Sequence, residues 1–412
     1  MIELDEARQR LLAACPPIEP VLLRSADATG CVLAADVVAG VAVPPFDNTS
    51  LDGYAVRSSD LHGASHDRPV TLEVLGSVLA GSVAERPVAA GQAWKVMTGA
   101  PLPAGADAVV MVENSSAHRA QPLGSAGDRV ALSVAVQAGT GIRLAGSDVQ
   151  AGDLVLAAGT VLRAAHLGVL ASVGADRVRV YPRLRVGVLV TGDELVTDGR
   201  PLAPGQIYES NRAMLMSLLR KANCEPIDLG VAGDDLAALE RRLAMAIVEC
   251  DVVISSGGVS MGDSDPIKAV LERLGRLNWM QIAIRPAKPF AFGVLDGPTL
   301  LMGLPGNPVS SLVSFELLAR PALLHLMGHA KPNPTVVLAI ADQAITRPNG
   351  DGRTAYLRVG AEFGPDGRLH VRPVRGQDSH QLAASAAADA LARLADGQRV
   401  EAGGEVEVLL LS

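Results

Sequence analysis

The chain has 412 residues, a net charge of −8 at pH 7 and a hydrophobic fraction of 49%, while aromatic residues make up only 3%. This length exceeds one typical core, so we expect a modular globular protein. The acidic balance argues against a nucleic acid partner, because sequence-independent binding to phosphates needs clustered positive charge. The start, MIELDEARQR, lacks signal-peptide features, and no uninterrupted apolar run could span a bilayer. We therefore expect a cytoplasmic protein with no membrane partner.

The cysteines and histidines give weak metal signals. The cysteines lack C-x-x-C spacing, which argues against a zinc knuckle or a disulfide framework and favours small core residues at Cys15, Cys31, Cys224 and Cys250. His325 and His329 stand four residues apart and could in principle share a metal. Their position beside a glycine at a predicted helix end favours a capping role.

In chain order, the first predicted element is a helix over residues 3–14, which stops at Pro16 and Pro17. From about 45 to 145, brief valine-rich runs separated by Gly, Pro and Ser predict a small β module inserted into another domain. Residues 145–182 return to mixed helix and strand character. The flanking segments, 1–44 and 145–182, are therefore expected to form one mixed α/β domain around the inserted β domain of 45–144.

Residues 183–328 give the clearest pattern, with apolar strands alternating with amphipathic helices. This alternation predicts a doubly wound parallel sheet with right-handed crossovers. Such sheets bind ligands beyond the carboxyl ends of their strands. After KPNP, short strands with turn signals predict a separate β domain over 329–412. The fold class expected is thus α/β plus β.

Three unusual loops follow strands of the predicted sheet: TGDEL (191–195), SSGGVSMGDSD (255–265) and GLPGNPVSS (303–311). Each could be only a tight turn, but three loops at successive strand ends favour a ligand site. In the last loop, Asn307 is a natural N-cap and Pro308 a natural first helical residue. Free backbone amides at that helix start would attract an anion.

Carboxylates on the same loops oppose the binding of an anion. Glu194, Asp263 and Asp265 would repel a phosphate in a poorly solvated cleft unless a divalent cation lay between them. The combination predicts a phosphorylated ligand carrying Mg²⁺ or a similar hard ion, although solvated turn residues are the simpler alternative. Arg285 and Lys288 in the stiff segment RPAKP could hold an oxyanion or could be ordinary surface charges.

Eight motifs in order resemble a known family: PPFDNTSLDGYAV, MTGAPLPAGADAVV, RLAGSDVQAGD, TGDEL, GQIYESN, SGGVSMGDSD, RPAKPFAFG and GLPGNPVSS. In this order they are similar to the molybdopterin molybdenumtransferases, the enzymes related to the E domain of gephyrin. The resemblance covers nearly the whole chain, and its weakest part is the C-terminal domain.

The resemblance implies insertion of molybdenum from molybdate into adenylylated molybdopterin, with release of AMP, formation of molybdenum cofactor and assistance by Mg²⁺. It implies a four-domain homodimer, with dimerisation through the domain of residues 1–44 and 145–182 and a C-terminal domain like a β-barrel. The active cleft would lie between the sheet domain of one subunit and the Asp-Gly-Tyr region of the other. Other implied partners are the adenylyltransferase that supplies the substrate and the molybdoenzymes that accept the product.

Site residues follow from the resemblance motif by motif. The acidic active-site residues would be Asp52, Asp148, Glu194 and Asp265, with the metal held by Glu194 and Asp265. Substrate would be bound by Thr98, Thr191, Gly192, Gly257, Gly258, Ser260, Asp263, Pro305, Gly306 and Asn307. Molybdate would be held by Arg285, Lys288, Ser310, Arg353 and Ser379.

The chain also departs from the family's usual motifs. It has DNTSLDGYA where the family usually has DNSAMDGYA. Arg285 stands for a usual lysine, Ala287 for a glycine and Ser147 for a glutamate. Pro266 and Ile267 stand where aromatic or hydrophobic residues commonly follow the acidic loop. Two other functions are compatible with this fold. One is a non-catalytic pterin-binding or scaffold protein, and the other is a hydrolase of a nucleotide pyrophosphate. A scaffold would not need the carboxylates together, and a hydrolase would not need the basic cluster.

Overall fold

The computed structural model describes residues 1–118, 123–233, 236–257, 273, 275–295, 297–347 and 350–411. The predictions for Gly258, Ser260, Asp263 and Asp265 lie outside these residues. The helices are α1 (Leu4–Ala13), α2 (Ala164–Ser172), α3 (Asn211–Lys221), α4 (Leu236–Glu249), α5 (Pro308–Ser314) and α6 (Arg320–Leu326). A π-helical turn, Phe315–Ala319, joins α5 to α6. Short 3₁₀ turns occupy Ser25–Asp27, Ser58–Leu61, Val112–Asn114, Ser116–His118 and Leu382–Ala387.

In the N-terminal half, a β sheet is inserted between two flanking segments whose strands pair with each other. Its strands are β1 (Val21–Arg24), β2 (Val32–Leu33), β3 (Val37–Val38), β4 (Asn48–Thr49), β5 (Gly53–Val56), β6 (Val70–Val78), β7 (Gln92–Val96), β8 (Ala108–Met111), β9 (Arg129–Leu132), β10 (Ile142–Arg143), β11 (Leu154–Leu156) and β12 (Arg177–Tyr181). The middle strands form a sheet in the order β8-β5-β7-β6-β9. The outer strands pair across this insertion as β1-β12-β2, β3-β11 and β4-β10. An inserted β domain was predicted, and this topology confirms it.

The α/β region contains β13 (Arg185–Thr191), β14 (Leu195–Val196), β15 (Ile207–Tyr208), β16 (Glu225–Ala232), β17 (Val252–Ser256), β18 (Gly275–Gln281), β19 (Ile284–Arg285), β20 (Pro289–Leu295) and β21 (Leu300–Leu304). Its main sheet has the order β16-β13-β17-β21-β20-β18. The strands from β16 to β21 in this order run parallel, as predicted. β20 and β18 continue the sheet in antiparallel pairing, which the sequence analysis did not predict. Those strands pair as neighbours without intervening helices, so the alternation rule did not detect them.

The long C-terminal helix of this region is a core element. Among the described residues, the helical run Pro308–Leu326 is long and apolar enough to cross a membrane. However, 83% of its most apolar stretch is buried inside the protein. Its π turn precedes Pro321, which has no N–H to donate to the carbonyl of Leu317. That carbonyl instead accepts a 2.8 Å hydrogen bond from Nε of Arg8 on α1. The first helix therefore packs in the core of the α/β region, through Leu4, Ala7 and Leu11.

The C-terminal region is a small closed barrel. Its strands are β22 (Val336–Ala341), β23 (Ile345–Thr346), β24 (Thr354–Phe363), β25 (Leu369–Pro373), β26 (Ala390–Leu394), β27 (Arg399–Val400) and β28 (Glu405–Leu410). β24 pairs with both β25 and β26, which closes the ring β24-β25-β22-β28-β26. β19 adds to β24 in parallel, with Arg285 opposite Ala355. This pairing holds the barrel beside the RPAKP segment, and the predicted fold class is confirmed.

Candidate functional site

The strand ends of the α/β sheet are flush at one edge. Val190 lies opposite Ser256 on β17, and Ser256 lies opposite Leu304 on β21. The N–H of Gly257 donates to the carbonyl of Leu304 at 3.1 Å, so the second and third loops are in direct contact. The structure therefore brings together the described parts of the predicted loops.

Asn211 forms hydrogen bonds to two of the loops at this edge, a role that was not predicted from the sequence. Its buried side-chain amide donates to Oγ of Ser256 at 2.9 Å and to the carbonyl of Gly306 at 2.7 Å. Asn211 is the first residue of α3, so these bonds join that helix to two of the loops. The only sequence signal was its place in the motif GQIYESN.

A cavity of about 470 Å³, here called the carboxylate cleft, opens at this edge. Its lining includes Thr191, Glu194, Tyr208, Glu209, Ser256, Gly306, Asn307 and His380. The small β14–β15 ladder holds the Glu194 segment beside Tyr208. Gly192 has φ +147°, and a Cβ there would lie 2.5 Å from Oε2 of Glu194. Glycine at this position lets the exposed carboxylate fold back over its own loop.

A second cavity of about 610 Å³, here called the cationic cleft, adjoins the first. All five residues expected to hold molybdate line it: Arg285, Lys288, Ser310, Arg353 and Ser379. Arg285 is the last residue of β19 and Lys288 lies between β19 and β20, whereas Arg353 and Ser379 come from the barrel region. The two groups meet because β19 pairs with β24.

Asp351 organises the cations at the edge of the cationic cleft, and it was also missed. Its carboxylate lies 2.5 Å from Nη2 of Arg353 and 3.8 Å from Nη1 of Arg285, and it pairs with Arg347. The hydrogen bond from the Arg353 guanidinium is the main reason why the pKa of Asp351 lies below its ordinary value. Asp351 therefore stays charged near neutral pH and orients Arg353.

Asn307 and His380 line both cavities. Asn307 stands at the N-cap position of α5 with Pro308 as the first helical residue, as predicted, but its side chain makes no capping hydrogen bond. Its amide instead lies 3.3 Å from Oγ of Ser379. The backbone N–H of Val309 donates to the carbonyl of Ser379 at 3.2 Å, so the barrel loop docks onto the start of the helix.

The Asp-Gly-Tyr motif divides into one exposed residue and two structural ones. Asp52 is exposed, and its Oδ1 accepts hydrogen bonds from the N–H and the hydroxyl of Thr98 at 2.6 and 2.7 Å. These bonds, the backbone one first, lower the pKa of Asp52. A Cβ at Gly53 would lie 1.9 Å from the carbonyl oxygen of Val110, so only glycine fits. Tyr54 is fully buried and donates to the carbonyl of Leu123.

The predicted site residues of the N-terminal half line neither cleft. Asp52, Thr98 and Asp148 belong to the N-terminal half, and the two clefts are lined by residues from Val190 onward. Asp148 is exposed, and its N–H donates to the carbonyl of Val43. A single chain therefore does not place these residues in either cleft, and their roles stay predictions.

The donor chemistry at the carboxylate cleft suits a hard divalent ion. Glu194 offers exposed carboxylate oxygens, the ligand type that Mg²⁺ prefers. Among the described residues, no group of three or more histidine, cysteine, aspartate or glutamate side chains is placed to hold a metal. Asp265, the second predicted ligand, lies outside the described residues.

Comparisons with known proteins identify the family. Family models match in chain order: the MoeA N-terminal region (domain I and II) over residues 2–174, a probable molybdopterin binding domain over 187–325, and the MoeA C-terminal region (domain IV) over 342–411. The molybdopterin molybdenumtransferase of Haemophilus influenzae is 40% identical, covering 93% of this chain and 92% of that protein. The chain belongs to the MoeA family.

Other MoeA relatives match along the whole chain. The molybdopterin molybdenumtransferase of Bacillus subtilis is 33% identical and covers 100% of this chain and 94% of that protein. The crystal structure of the molybdopterin biosynthesis MoeA protein from Pyrococcus horikosii is 30% identical, with a TM-score of 0.80, and covers 100% of this chain and 99% of that one. The family resemblance drawn from the motifs is thereby confirmed.

Proposed function

We propose that this MoeA-family chain inserts molybdenum from molybdate into adenylylated molybdopterin, releasing AMP and forming molybdenum cofactor. The observation that carries the proposal is the adjacency of a cationic cleft and a carboxylate cleft that share Asn307 and His380. One cleft suits an oxyanion and the other suits a metal-bound phosphate. The names of the relatives support transfer of molybdenum to molybdopterin.

The cationic cleft would hold molybdate. Arg285, Lys288 and Arg353 supply positive charge around a cavity that Ser310 and Ser379 line with hydroxyl donors. A dianion gains from several charge-assisted hydrogen bonds at once. Asp351 keeps the Arg353 guanidinium oriented, so less side-chain freedom is lost when the anion binds.

The carboxylate cleft would hold the pyrophosphate end of the pterin substrate. Thr191, Gly192, Gly257, Pro305, Gly306 and Asn307 would bind or shape the substrate there. Glu194, together with Asp265, would hold the divalent ion, which when bound neutralises phosphate charge and favours departure of AMP. The chain itself orients the two reactants next to each other, so proximity is its main catalytic contribution.

We further propose a cytoplasmic homodimer in which the partner subunit completes the cleft. Asp52, Thr98 and Asp148 would then face the carboxylate cleft of the other chain. The two hydrogen bonds from Thr98 would hold Asp52 ionised and in one orientation. The domain bounds of 1–44 with 145–182, 45–144, 183–328 and 329–412 belong to the same proposal, as do the supplying adenylyltransferase and the accepting molybdoenzymes.

One assay separates this proposal from a scaffold and from a hydrolase. Purified protein is incubated with adenylylated molybdopterin and Mg²⁺, with and without molybdate. AMP release and reconstitution of a cofactor-free molybdoenzyme are both measured. We expect both signals to require molybdate. AMP release that ignores molybdate would support the hydrolase, and pterin binding without either signal would support the scaffold.

A further inference from the structure

His380 lies at the junction of the two clefts. It lines both cavities, it is exposed, and its imidazole makes no hydrogen bond or ion pair with any described residue. Neither the motifs nor the chemistry described above gives it a role. A free imidazole at the boundary of two reactant pockets is placed to touch groups from both.

The loop that carries His380 is held in place by hydrogen bonds from a buried arginine. The guanidinium of Arg358, only 1% exposed, donates to the carbonyls of Gly376 at 2.7 Å, Asp378 at 3.2 Å and Gln381 at 2.9 Å. Ser379 is anchored to the start of α5 through Val309 and Asn307. The residues on both sides of His380 are therefore fixed, and its backbone position is preorganised.

The proposed reaction requires protons to move at this boundary. When a dithiol binds molybdate, two Mo–S bonds form and one Mo–O bond breaks. The oxygen leaves as water and takes the two thiol protons. Molybdenum stays hexavalent, so no oxidant or reductant is needed. Imidazole can accept a proton on one nitrogen and donate one from the other.

We infer that His380 is a catalytic residue that carries thiol protons of the pterin substrate to the oxygen leaving molybdate. This inference rests on the proposed transferase activity. The pterin sulfurs would approach from the carboxylate cleft and molybdate from the cationic cleft, so His380 would contact both reacting groups.

The charged groups that share a cavity lining with His380 come from both clefts. They are Glu194 and Glu209 with the phenol of Tyr208 on one side, and Arg285, Lys288, Arg353 and the neighbouring Asp378 on the other. One cleft thus contributes carboxylates and the other mainly cations, and His380 lines both. Removal of the imidazole leaves this charged frame in place, so it should affect turnover more than binding.

The test uses the full chain with His380→Ala and His380→Gln. We expect kcat for cofactor formation to fall about 100-fold in both variants, within the usual range for general acid–base catalysis. KM for molybdate and for the pterin should stay within about threefold of wild type. Imidazole added to the buffer should restore part of the turnover of His380→Ala. His325→Gln, an exposed histidine beside a different cavity, is the matched control and should retain wild-type kcat.

Other outcomes would overturn the inference. Unchanged kcat in His380→Gln would do so, as would a loss confined to KM, or a lowered thermal midpoint without rescue by imidazole. Failure of the proposed function gives a different result, because wild-type protein would then form no cofactor. If wild type is active and the His380 variants match it, only the role of His380 is lost.

Discussion

The carboxylate cleft and the cationic cleft share a wall but are built in different ways. The carboxylate cleft is made almost entirely by the α/β region, from strand ends of the main sheet, the β14–β15 ladder and the starts of α3 and α5. The cationic cleft needs residues from two regions. The β19–β24 pairing brings Arg353 to it, and the docking of the barrel loop onto the start of α5 brings Ser379. One site belongs almost wholly to the α/β region, and the other lies at an interface between that region and the barrel.

This difference suggests a division of chemistry. The cleft built by the α/β region carries the carboxylate suited to a metal-bound phosphate, and the cleft built at the interface carries the cations suited to a free oxyanion. If the clefts act separately, a substitution in one should leave the parameters of the other unchanged. We expect the largest loss of activity from a substitution in the carboxylate cleft.

Replacement of Glu194 by Gln should slow AMP release about 100-fold or more, because a neutral amide holds a divalent cation much less well than a carboxylate. The magnesium concentration needed for half-maximal rate should rise, while KM for molybdate should stay near wild type. The measurement is initial-rate kinetics with magnesium and molybdate varied independently. Asp198→Asn, an exposed carboxylate of the same region that lines neither cleft, is the control. A change confined to KM for molybdate would contradict the division.

The converse test removes a charge from the cationic cleft. Lys288→Met keeps the length of the side chain and should raise KM for molybdate about 10- to 100-fold, since a hydrogen bond to a charged group contributes about 1.5–3 kcal/mol. The magnesium requirement for AMP release should not move.

Lys331→Met serves as the matched control, because Lys331 is exposed and lines neither cleft. Equal effects of both lysine variants would mean that net charge rather than the cleft attracts molybdate. A raised magnesium requirement in Lys288→Met would mean that the clefts are coupled.

The same difference explains what sequence reasoning could predict. Strand–helix alternation placed Thr191, Ser256 and Gly306 at one sheet edge, since parallel strands end together. No local pattern could place Arg353 beside Lys288, because that contact depends on how the barrel docks, and the family resemblance supplied it instead. The roles of Asn211, Asp351 and His380 were not predicted, because the partners of a single polar residue are set only when the chain folds.

Ala287 lies between the two cations of RPAKP and has φ +76°, a conformation in which an L side chain is strained. The residue is 3% exposed, so its methyl group also contributes to the core. Substitution by glycine would relieve about 1–2 kcal/mol of strain. It would lose about 0.8 kcal/mol of methyl burial and about 0.4–1 kcal/mol through the more flexible unfolded chain.

These terms nearly cancel, so Ala287→Gly should change the free energy of unfolding by less than about 1 kcal/mol. The matched control is Ala283→Gly, a neighbouring buried alanine without positive φ, which has no strain to relieve and should lose about 1–2 kcal/mol. Urea unfolding of both variants isolates the strain as their difference. Equal destabilisation of the two would show that Ala287 is unstrained. KM for molybdate should change less than about twofold in Ala287→Gly, because glycine adopts the same conformation and Arg285 and Lys288 keep their positions.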